Sequence, residues 1–589
     1  MPRSLVVTLW LATLLDSSLA SYVFAQEPTS PTQSFENEQA SDNLFEVAPT
    51  VHPNPIRRAP LIAIVEFESS QPVVPSLIIS DGQREWEQPW SSTPSRRHRL
   101  AALGLRPNRQ HTIRVKVVSA DQASQLSLPL TFVTPPLPDN FPPLRTVVSQ
   151  PDRMEPGLTL FSVNLWRDSV SLLDYGYLIA LDAEGEVVWY CHVKDRVADM
   201  RILENGHILY QHGNYRYAYE IDILGRDVRR WYADNLTEAP DEHAIAVDVD
   251  TMHHDLFQVP GGNLFTLATE LVEFDKFPSS EHDPQAPWQP AHVVCDAVVE
   301  FNPTNGQIVD QLHLLDVLDP QRFGYMALSG FWKDKYNARI DGKSRDWCHA
   351  NALHYLADED AILVSLRHLD CVIKIDWKTK QIIWIVGDPS GWGARWQPYL
   401  LKSVGELQWF YHQHSPQLTP RGTLLMFDNG NYRARPFAPP TPATENYSRI
   451  VEYEIDEQAK TVKQVFNYAG EPNDRFYSPF YGDADWLPLT ENILVTDGGH
   501  IESDSGIPQD DVPGEHQWAR IFELTRDEQP DKIFEVVCDS GLGSKMGWSI
   551  FRASRIVNLI APFAIDPPAI GEEVLLFTHG AHRERPVEQ

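Results

Sequence analysis

Three histidines occupy matching places in the sequence, each just ahead of a strand, a tight turn and a second strand. His254 lies nine residues before Asn263, and His414 lies nine residues before Thr423. His349 lies twelve residues before the matching position, Ala361, because the turn between the two strands is longer in this repeat. An imidazole can act as a nucleophile or carry a proton near neutral pH. One histidine at a strand end is usually structural, but three in register predict a shared active site.

The second strands of the same units end in polar residues. Because each second strand runs antiparallel to the first, its end returns to the edge where the first strand began. Arg367, Asn429 and Thr496 stand at or just after such ends. Asn351, two residues after His349, is expected on the face of that histidine by strand alternation. Imidazole, guanidinium, amide and hydroxyl groups together suit an oxyanion such as sulfate or phosphate.

Other interpretations of these residues stay open from the residues alone. Three histidines, with Asp255 as a further ligand, could hold a metal ion. Cys348 beside His349 suggests a thiol nucleophile, although a buried cysteine next to the site is the preferred interpretation. Arg367 could equally form a salt bridge between repeats. Four neighbouring histidines are interpreted as supporting or incidental groups: His253, His368, His412 and His500.

The units that carry these residues repeat from about residue 145 to 589. Each repeat shows four short strands and no helical periodicity, at spacings of roughly 40 to 80 residues. This pattern predicts an all-β fold, a six-bladed β-propeller, with five or seven blades as the alternatives. The first blade is expected from about Gly157 to Trp189, and Ser549 to Ile556 is expected to close the ring. Because first strands line the central channel, the three histidines should reach one rim from adjacent blades.

The region before the propeller divides by composition. Residues 1–25 combine a short basic start with an apolar run, which predicts a signal peptide and an exported protein, periplasmic or secreted. A membrane anchor is the alternative, and no membrane span is expected after processing. Residues 26–51 are polar and predict a disordered tether. Residues 52–134 predict a small β-sandwich of the fibronectin-III or immunoglobulin type, residues 135–144 a Pro-rich linker, and residues 145–589 the catalytic propeller.

The composition limits the classes of function. A formal net charge of -32 argues against nucleic acid as a partner, and an anionic substrate would need a locally basic pocket. The five cysteines are sparse and lack CxxC spacing. They could form one disulfide, but they indicate neither a disulfide scaffold nor a zinc ribbon.

These residues resemble the bacterial arylsulfate sulfotransferase family, exported enzymes that do not use a nucleotide sulfate donor. The resemblance extends over roughly residues 145–560, and the order of signal, small β-sandwich and propeller agrees with it. The matching segments are His253-His254-Asp255, His349-Ala350-Asn351, Ser365-Leu366-Arg367-His368, Gln413-His414 and Phe427-Asp428-Asn429-Gly430.

The resemblance implies transfer of a sulfuryl group from a phenolic sulfate ester to a phenolic acceptor, by a ping-pong mechanism through a sulfohistidine. His414 matches the nucleophile, and His349 is also the candidate that moves the phenolic proton. The residues that match the groups holding the sulfuryl oxygens are His254, His349, Asn351, Arg367 and Thr496. The resemblance implies no cofactor and no metal ion, and some family members are homodimers. Some members also carry a disulfide near the nucleophile, whereas no cysteine lies near His414 here.

Two other classes of function fit the same sequence. A metal-dependent hydrolase or lyase on a propeller predicts bound metal and loss of activity with a chelator. A non-catalytic exported propeller that binds ligands predicts no turnover and no covalent adduct.

Overall fold

Apolar segments separated by turns that contain Gly, Pro or Asn form strands throughout the described part of the chain. The computed structural model describes residues 43–90, 92–336, 344–470, 474–510 and 515–559. The predicted signal peptide and most of the predicted tether lie outside the described residues. In the described part, the only α-helix is the four-residue α1 (Leu314–Val317), and no helix there is long and apolar enough to cross a membrane.

The N-terminal region contains seven strands that are linked by hydrogen bonds. They are β1 (Phe45–Pro53), β2 (Ala63–Ser80), β3 (Glu85–Pro89), β4 (Ser95–Ala102), β5 (Gln110–Ser119), β6 (Ser124–Leu126) and β7 (Leu130–Val133). The first half of β2 pairs with β1 and β4, and the second half pairs with β3 and β5. β1 begins inside the stretch predicted as a tether, because Phe45 is buried and packs its ring edge-on against Phe67 at 5.6 Å. The two-sheet sandwich and the domain boundaries stay predictions.

The rest of the described chain is built from 29 further strands. They are β8 (Leu144–Ser149), β9 (Leu158–Arg167), β10 (Val170–Leu181), β11 (Val187–His192), β12 (Val197–Ile202), β13 (Ile208–His212), β14 (Tyr217–Ile221), β15 (Asp227–Ala233), β16 (Ile245–Val247), β17 (His253–Gln258), β18 (Leu264–Phe277), β19 (Gln289–Phe301), β20 (Ile308–His313), β21 (Ser344–Asp346), β22 (Ala350–Leu356), β23 (Ala361–Leu366), β24 (Cys371–Asp376), β25 (Ile382–Gly387), β26 (Lys402–Ser403), β27 (His414–Leu418), β28 (Thr423–Asp428), β29 (Arg449–Asp456), β30 (Thr461–Tyr468), β31 (Asp483–Trp486), β32 (Ile493–Glu502), β33 (His516–Leu524), β34 (Lys532–Cys538), β35 (Met546–Ser549) and β36 (Ala553–Ile556). Short 3-10 turns lie at Pro151–Arg153, Lys333–Lys335, Arg367–Leu369, Gln397–Tyr399 and Ala443–Glu445.

These strands form six sheets of four or five strands, so the predicted all-β, six-bladed propeller is confirmed. The first blade contains β9 to β11 with β35 and β36, the second β12 to β16, and the third β17 to β21. The fourth blade contains β22 to β25, the fifth β26 to β30, and the sixth β31 to β34 with β8. Apolar clusters between neighbouring sheets form the core, as where Ile362 and Val364 pack with Phe265 and Leu267.

The two ends of the propeller segment close the ring at adjacent blades. β35 and β36 pair antiparallel with β9, as predicted for the closing segment Ser549 to Ile556. β8 pairs antiparallel with β34 and forms the outer strand of the sixth blade. The first blade therefore takes its innermost strands from the last part of the described chain.

One cation from the closing segment joins the inner strands at the centre of the ring. Arg552 donates from Nη2 to Asp255 Oδ2 at 3.0 Å and from Nη1 to the other oxygen of the same carboxylate. Its Nη1 also contacts Asp199 Oδ1 at 3.2 Å, and its Nε donates to Ser415 Oγ at 3.1 Å. These three partners belong to β12, β17 and β27, so Arg552 connects its own blade to three others.

The Arg552→Met variant should lower the free energy of unfolding by about 3–5 kcal/mol, because it leaves the buried carboxylate of Asp255 without its bidentate partner. Chemical denaturation followed by tryptophan fluorescence measures this loss. Lys545→Met is the control from the same segment, because its ion pair with Asp168 lies at the surface and the Lys545 side chain is 82% exposed. A loss no larger than that of the control would contradict a central role for Arg552.

Candidate active site

The first strands of three consecutive blades, β17, β22 and β27, begin at or beside the three predicted histidines. His254 has a φ of 58° and His349 has a φ of 45°. Ser415, directly after His414, has a φ of 51°. Residues other than glycine rarely adopt this left-handed conformation, and those that do are concentrated at functional sites. The backbone therefore turns sharply at the same rim in all three blades.

A cavity of about 150 Å³ lies at this rim. Four of the predicted site residues line it together: His254, His349, Arg367 and His414. The ring centroids of His254 and His349 are 5.1 Å apart. The register of the repeats thus brings three imidazoles and one guanidinium to one place.

Asn351 and Thr496 are buried but are not among the residues that line the cavity. Asn351 Nδ2 donates to the backbone oxygen of Gln413 at 2.8 Å. Strand alternation does not carry Asn351 to the face of His349, because β22 starts only after His349 and the left-handed residue breaks the alternation. Asn351 Oδ1 and Thr496 Oγ1 have no hydrogen-bond partner within the described residues.

The protonation of His414 is set by its contact with Asn429. Nδ2 of Asn429 donates to the backbone oxygens of Ser478 at 2.8 Å and Tyr481 at 2.7 Å. Oδ1 of Asn429 must therefore accept the bond of 2.6 Å that it shares with His414 Nδ1, which places the proton on Nδ1. The second ring nitrogen, Nε2, keeps its lone pair for the cavity.

His349 forms a pair with a buried carboxylate. Its Nδ1 lies 2.6 Å from Asp346 Oδ2, and the indole of Trp332 donates to Asp346 Oδ1 at 3.1 Å. Burial raises the pKa of Asp346 to about 7. The pair can therefore hold or release one proton near neutral pH, and Nε2 of His349 is its contact with the cavity.

Arg367 is held in a fixed orientation by its neighbours. Its Nη1 donates to His368 Nε2 at 2.9 Å, and its Nη2 donates to the backbone oxygen of Pro479 at 3.2 Å. His368 in turn uses Nδ1 to donate to the backbone oxygen of Asp346 at 2.8 Å. A cation that is positioned before the substrate arrives needs little reorganisation in the transition state.

The imidazoles at the rim are neutral at pH 7. Burial lowers the pKa of His414 well below its ordinary value and Arg367 lowers it further, while the bond to Asn429 acts in the opposite direction. Burial, followed by Arg367, lowers the pKa of His349 to about 3. Burial also lowers the pKa of His254 well below its usual range, with His253 adding to the effect. Low pKa values keep the nucleophilic lone pair available.

One group of residues in the described ranges is close enough to hold a metal ion, namely Asp346, His349 and His368. Both ring nitrogens of His368 already have hydrogen-bond partners, and the Arg367 guanidinium lies 2.9 Å from one of them. A divalent cation would have to displace these bonds beside a fixed positive charge. This geometry favours an anion over a metal ion at the rim.

Other residues near the predicted site histidines are engaged in hydrogen bonds or ring contacts. Cys348 is buried, its thiol donates to Asp296 Oδ2 at 2.9 Å, and burial raises its pKa well above the ordinary value, so it is no nucleophile. His253 shares a bond of 2.7 Å with His254. His500 stacks on Trp518 with ring centroids 3.7 Å apart. All five cysteines are free and buried.

Among the charged residues of the cavity wall, reasoning from sequence missed Asp346 and Arg196. The signal for Asp346 was its place three residues before His349, since a carboxylate near a histidine in sequence can orient the ring. Arg196 directly precedes β12 of the second blade, which carries no histidine at its start. Phe331 also lines the cavity, and its ring packs edge-on against His349 at 5.2 Å.

Comparison with known proteins finds one family over most of the propeller. The family model described as Arylsulfotransferase (ASST) matches residues 144–547. Arylsulfate sulfotransferase AssT of Escherichia coli O6:H1 is 27% identical over 368 residues, which cover 55% of this chain and 58% of that protein. Arylsulfate sulfotransferase AssT of Lelliottia amnigena is 29% identical over 225 residues, which cover 32% of this chain and 37% of that protein. The chain thus spans less than two thirds of each relative.

Among solved structures, virginiamycin B lyase from Staphylococcus aureus matches 61% of this chain and 80% of that chain, at 9% identity and a TM-score of 0.25. A similarity this low supports no conclusion about function. The family match, by contrast, includes all three rim histidines and most of the propeller. The chain belongs to the arylsulfotransferase family.

Proposed function

We propose that this protein transfers a sulfuryl group from a phenolic sulfate ester to a phenolic acceptor through a sulfohistidine at His414. The observation that carries the proposal is the bond from His414 Nδ1 to Asn429, which leaves a neutral Nε2 at a cavity that also contains Arg367. Sulfuryl transfer resembles phosphoryl transfer, in which the transition state is loose and its charge lies on peripheral oxygens. The two relatives, both arylsulfate sulfotransferases by name, support the same substrate class.

In the first half-reaction, Nε2 of His414 attacks the sulfur atom. A nitrogen–sulfur bond forms while the bond between sulfur and the aryl oxygen breaks. Arg367 and His254 bind the sulfuryl oxygens and stabilise their charge. The departing aryl oxygen takes a proton from Nε2 of His349, which recovers one from Asp346. The products are a free phenol and the sulfohistidine.

The second half-reaction reverses these steps with a new phenol. The pair of His349 and Asp346, now lacking one proton, removes the proton of the acceptor hydroxyl. The phenolic oxygen attacks sulfur, the nitrogen–sulfur bond breaks, and His414 returns to its neutral form. Asp346 orients the ring of His349 and supplies, or takes back, the proton that passes through the ring.

We place this activity outside the cytoplasm, in the periplasm or the secreted fraction. The support is the predicted signal peptide at residues 1–25, which lies outside the described residues.

The first test concerns the covalent intermediate. Incubation of the purified protein with an aryl sulfate, without acceptor, should add the mass of one sulfuryl group to the intact protein, and addition of phenol should remove it. His414→Ala should give no adduct because the nucleophile is absent. His243→Ala, which changes a histidine whose side chain is 58% exposed, should behave as the unmodified protein does. Turnover that depends on phenol but proceeds without an adduct would show direct transfer instead.

The second test concerns Asp346. Asp346→Asn should slow turnover of phenyl sulfate by about 10²–10⁴-fold, because the poor leaving group needs a proton. Turnover of 4-nitrophenyl sulfate, whose phenolate leaves unaided, should fall much less. Asp316→Asn, an exposed position, serves as the control. Equal losses with both donors would mean that Asp346 is needed only for folding.

A metal-dependent hydrolase or lyase is the second candidate, and the group of Asp346, His349 and His368 is the observation in its favour. Under the proposed mechanism, dialysis of the protein against a chelator should leave sulfuryl transfer unchanged. Loss of turnover that zinc or another divalent ion restores would favour the metal-dependent alternative.

A further inference from the structure

The cavity has a second side, across from His254 and His349, that the proposed mechanism does not use. This distal wall consists of Trp166, Arg196, Phe480, Ile501 and Gln517. Trp166 belongs to the first blade, and Ile501 and Gln517 belong to the sixth. Arg196 lies just before the second blade, and Phe480 lies just before the sixth. In a six-bladed ring these positions lie across the channel from the third and fourth blades. A substrate whose sulfuryl group contacts the histidines must therefore point its other end toward this wall.

The middle of the distal wall is apolar and aromatic. The rings of Trp166 and Phe480 pack edge to face with centroids 5.9 Å apart, and Ile501 lies beside them on the cavity. Phe480 also packs against Tyr481 at 4.7 Å. Aromatic edges and faces of this kind accept another ring readily. They form a slot that suits the aryl part of a phenol.

Arg196 brings a positive charge to the wall without a carboxylate. Its Nη2 donates to the hydroxyl of Tyr481 at 2.5 Å, and its guanidinium lies 5.6 Å from the ring of Trp166. Its Nε is buried and has no hydrogen-bond partner within the described ranges. Among the described residues no carboxylate forms an ion pair with Arg196, and its electrostatic partners are the phenols of Tyr481 and Tyr215. A cation whose neighbours are neutral gains a favourable interaction when an anion arrives.

Gln517 brings a second donor that lacks a partner. The residue is 3% exposed, it lines the cavity, and its Nε2 has no hydrogen bond within the described part of the chain. Gly547 packs tightly beneath it, since a Cβ there would lie 2.8 Å from the Cβ of Gln517. The side chain is thus held in place with an unused N–H group at the cavity.

We infer that the distal wall binds a carboxylate on the aryl substrate, so that the preferred phenols carry an anionic substituent away from the hydroxyl that reacts. Arg196 Nε and Gln517 Nε2 are the two unused donors, and a carboxylate offers two acceptor oxygens. This inference rests on the proposed function, because it assigns the reacting end of the substrate to the histidines. A net charge of -32 repels such substrates from the protein as a whole, and the arginine offsets that repulsion locally.

The experiment compares two acceptors of the same size that differ only in charge. With 4-nitrophenyl sulfate as donor, kcat/KM is measured for 4-hydroxyphenylacetate and for 4-hydroxyphenylacetamide. The full-length protein should prefer the carboxylate by about 10–100-fold, the range of a hydrogen bond to a charged group. In Arg196→Met the ratio of the two kcat/KM values should fall to about one, and in Gln517→Leu it should fall part of the way.

Two further variants keep the outcome interpretable. Arg196→Lys retains the charge and should retain part of the preference, which a misfolded variant would not. Lys194→Met removes an exposed cation two residues away and should leave both values unchanged. Equal kcat/KM for the two acceptors in the unmodified protein, or a preference that survives Arg196→Met, would overturn the inference.

The failure of the proposed function gives a different result. If neither acceptor is sulfated, calorimetric titration with 4-hydroxyphenylacetate tests the wall without turnover. Binding that Arg196→Met abolishes would support the carboxylate site while the transfer mechanism is rejected. Absence of binding would overturn the site as well.

Discussion

The bidentate pair between Arg552 and Asp255 is the interaction on which the rim depends. Asp255 directly follows His254, and the Ser415 that receives the Arg552 Nε directly follows His414, so one guanidinium fixes the backbone beside two site histidines. Asp255 also accepts the backbone N–H of Leu353 at 2.7 Å, which ties in the fourth blade. If all the surrounding carboxylates were ionised, the centre would carry an excess of negative charge. Burial raises the pKa of Asp485 to about 8, so that it stays protonated at neutral pH and limits the negative charge.

The site and the protein as a whole differ in the sign of their charge. The chain carries a net charge of -32, yet the cavity wall combines two arginines, Arg196 and Arg367, with neutral imidazoles. The one carboxylate on that wall, Asp346, is bonded to His349 and has a raised pKa. Burial produces both effects, because it disfavours charge on histidine and on aspartate alike. An acidic surface is thereby compatible with a pocket that carries net positive charge.

The sequence was sufficient for the architecture and for the part of the site that repeats. Strand spacing predicted six blades, and the matched positions of His254, His349 and His414 predicted their convergence, because equivalent residues of a propeller lie at one rim. Asn351 did not follow the same rule, since the left-handed φ of His349 breaks the alternation on which the expectation rested. Alternation can be read from a sequence, but a single left-handed residue cannot.

The unpredicted residues share a physical reason. Arg196 belongs to the segment before β12, and Asp346 ends the three-residue strand β21, which is an addition to the repeated strands of its blade. The conformations of such parts follow from tertiary contacts rather than from a repeat. Trp332, which bonds to Asp346, lies in such a segment as well. Periodic patterns specify strands and their faces, whereas the loops that complete a pocket carry no period.

The closing strands have a consequence for the order of events during synthesis. A ribosome makes the chain from its N-terminus, so β35, Arg552 and β36 emerge after every other described strand of the ring. Until they arrive, the first blade lacks its innermost strands and Asp255 lacks its bidentate partner. The ring of six blades can therefore close only after the last of these strands has been made.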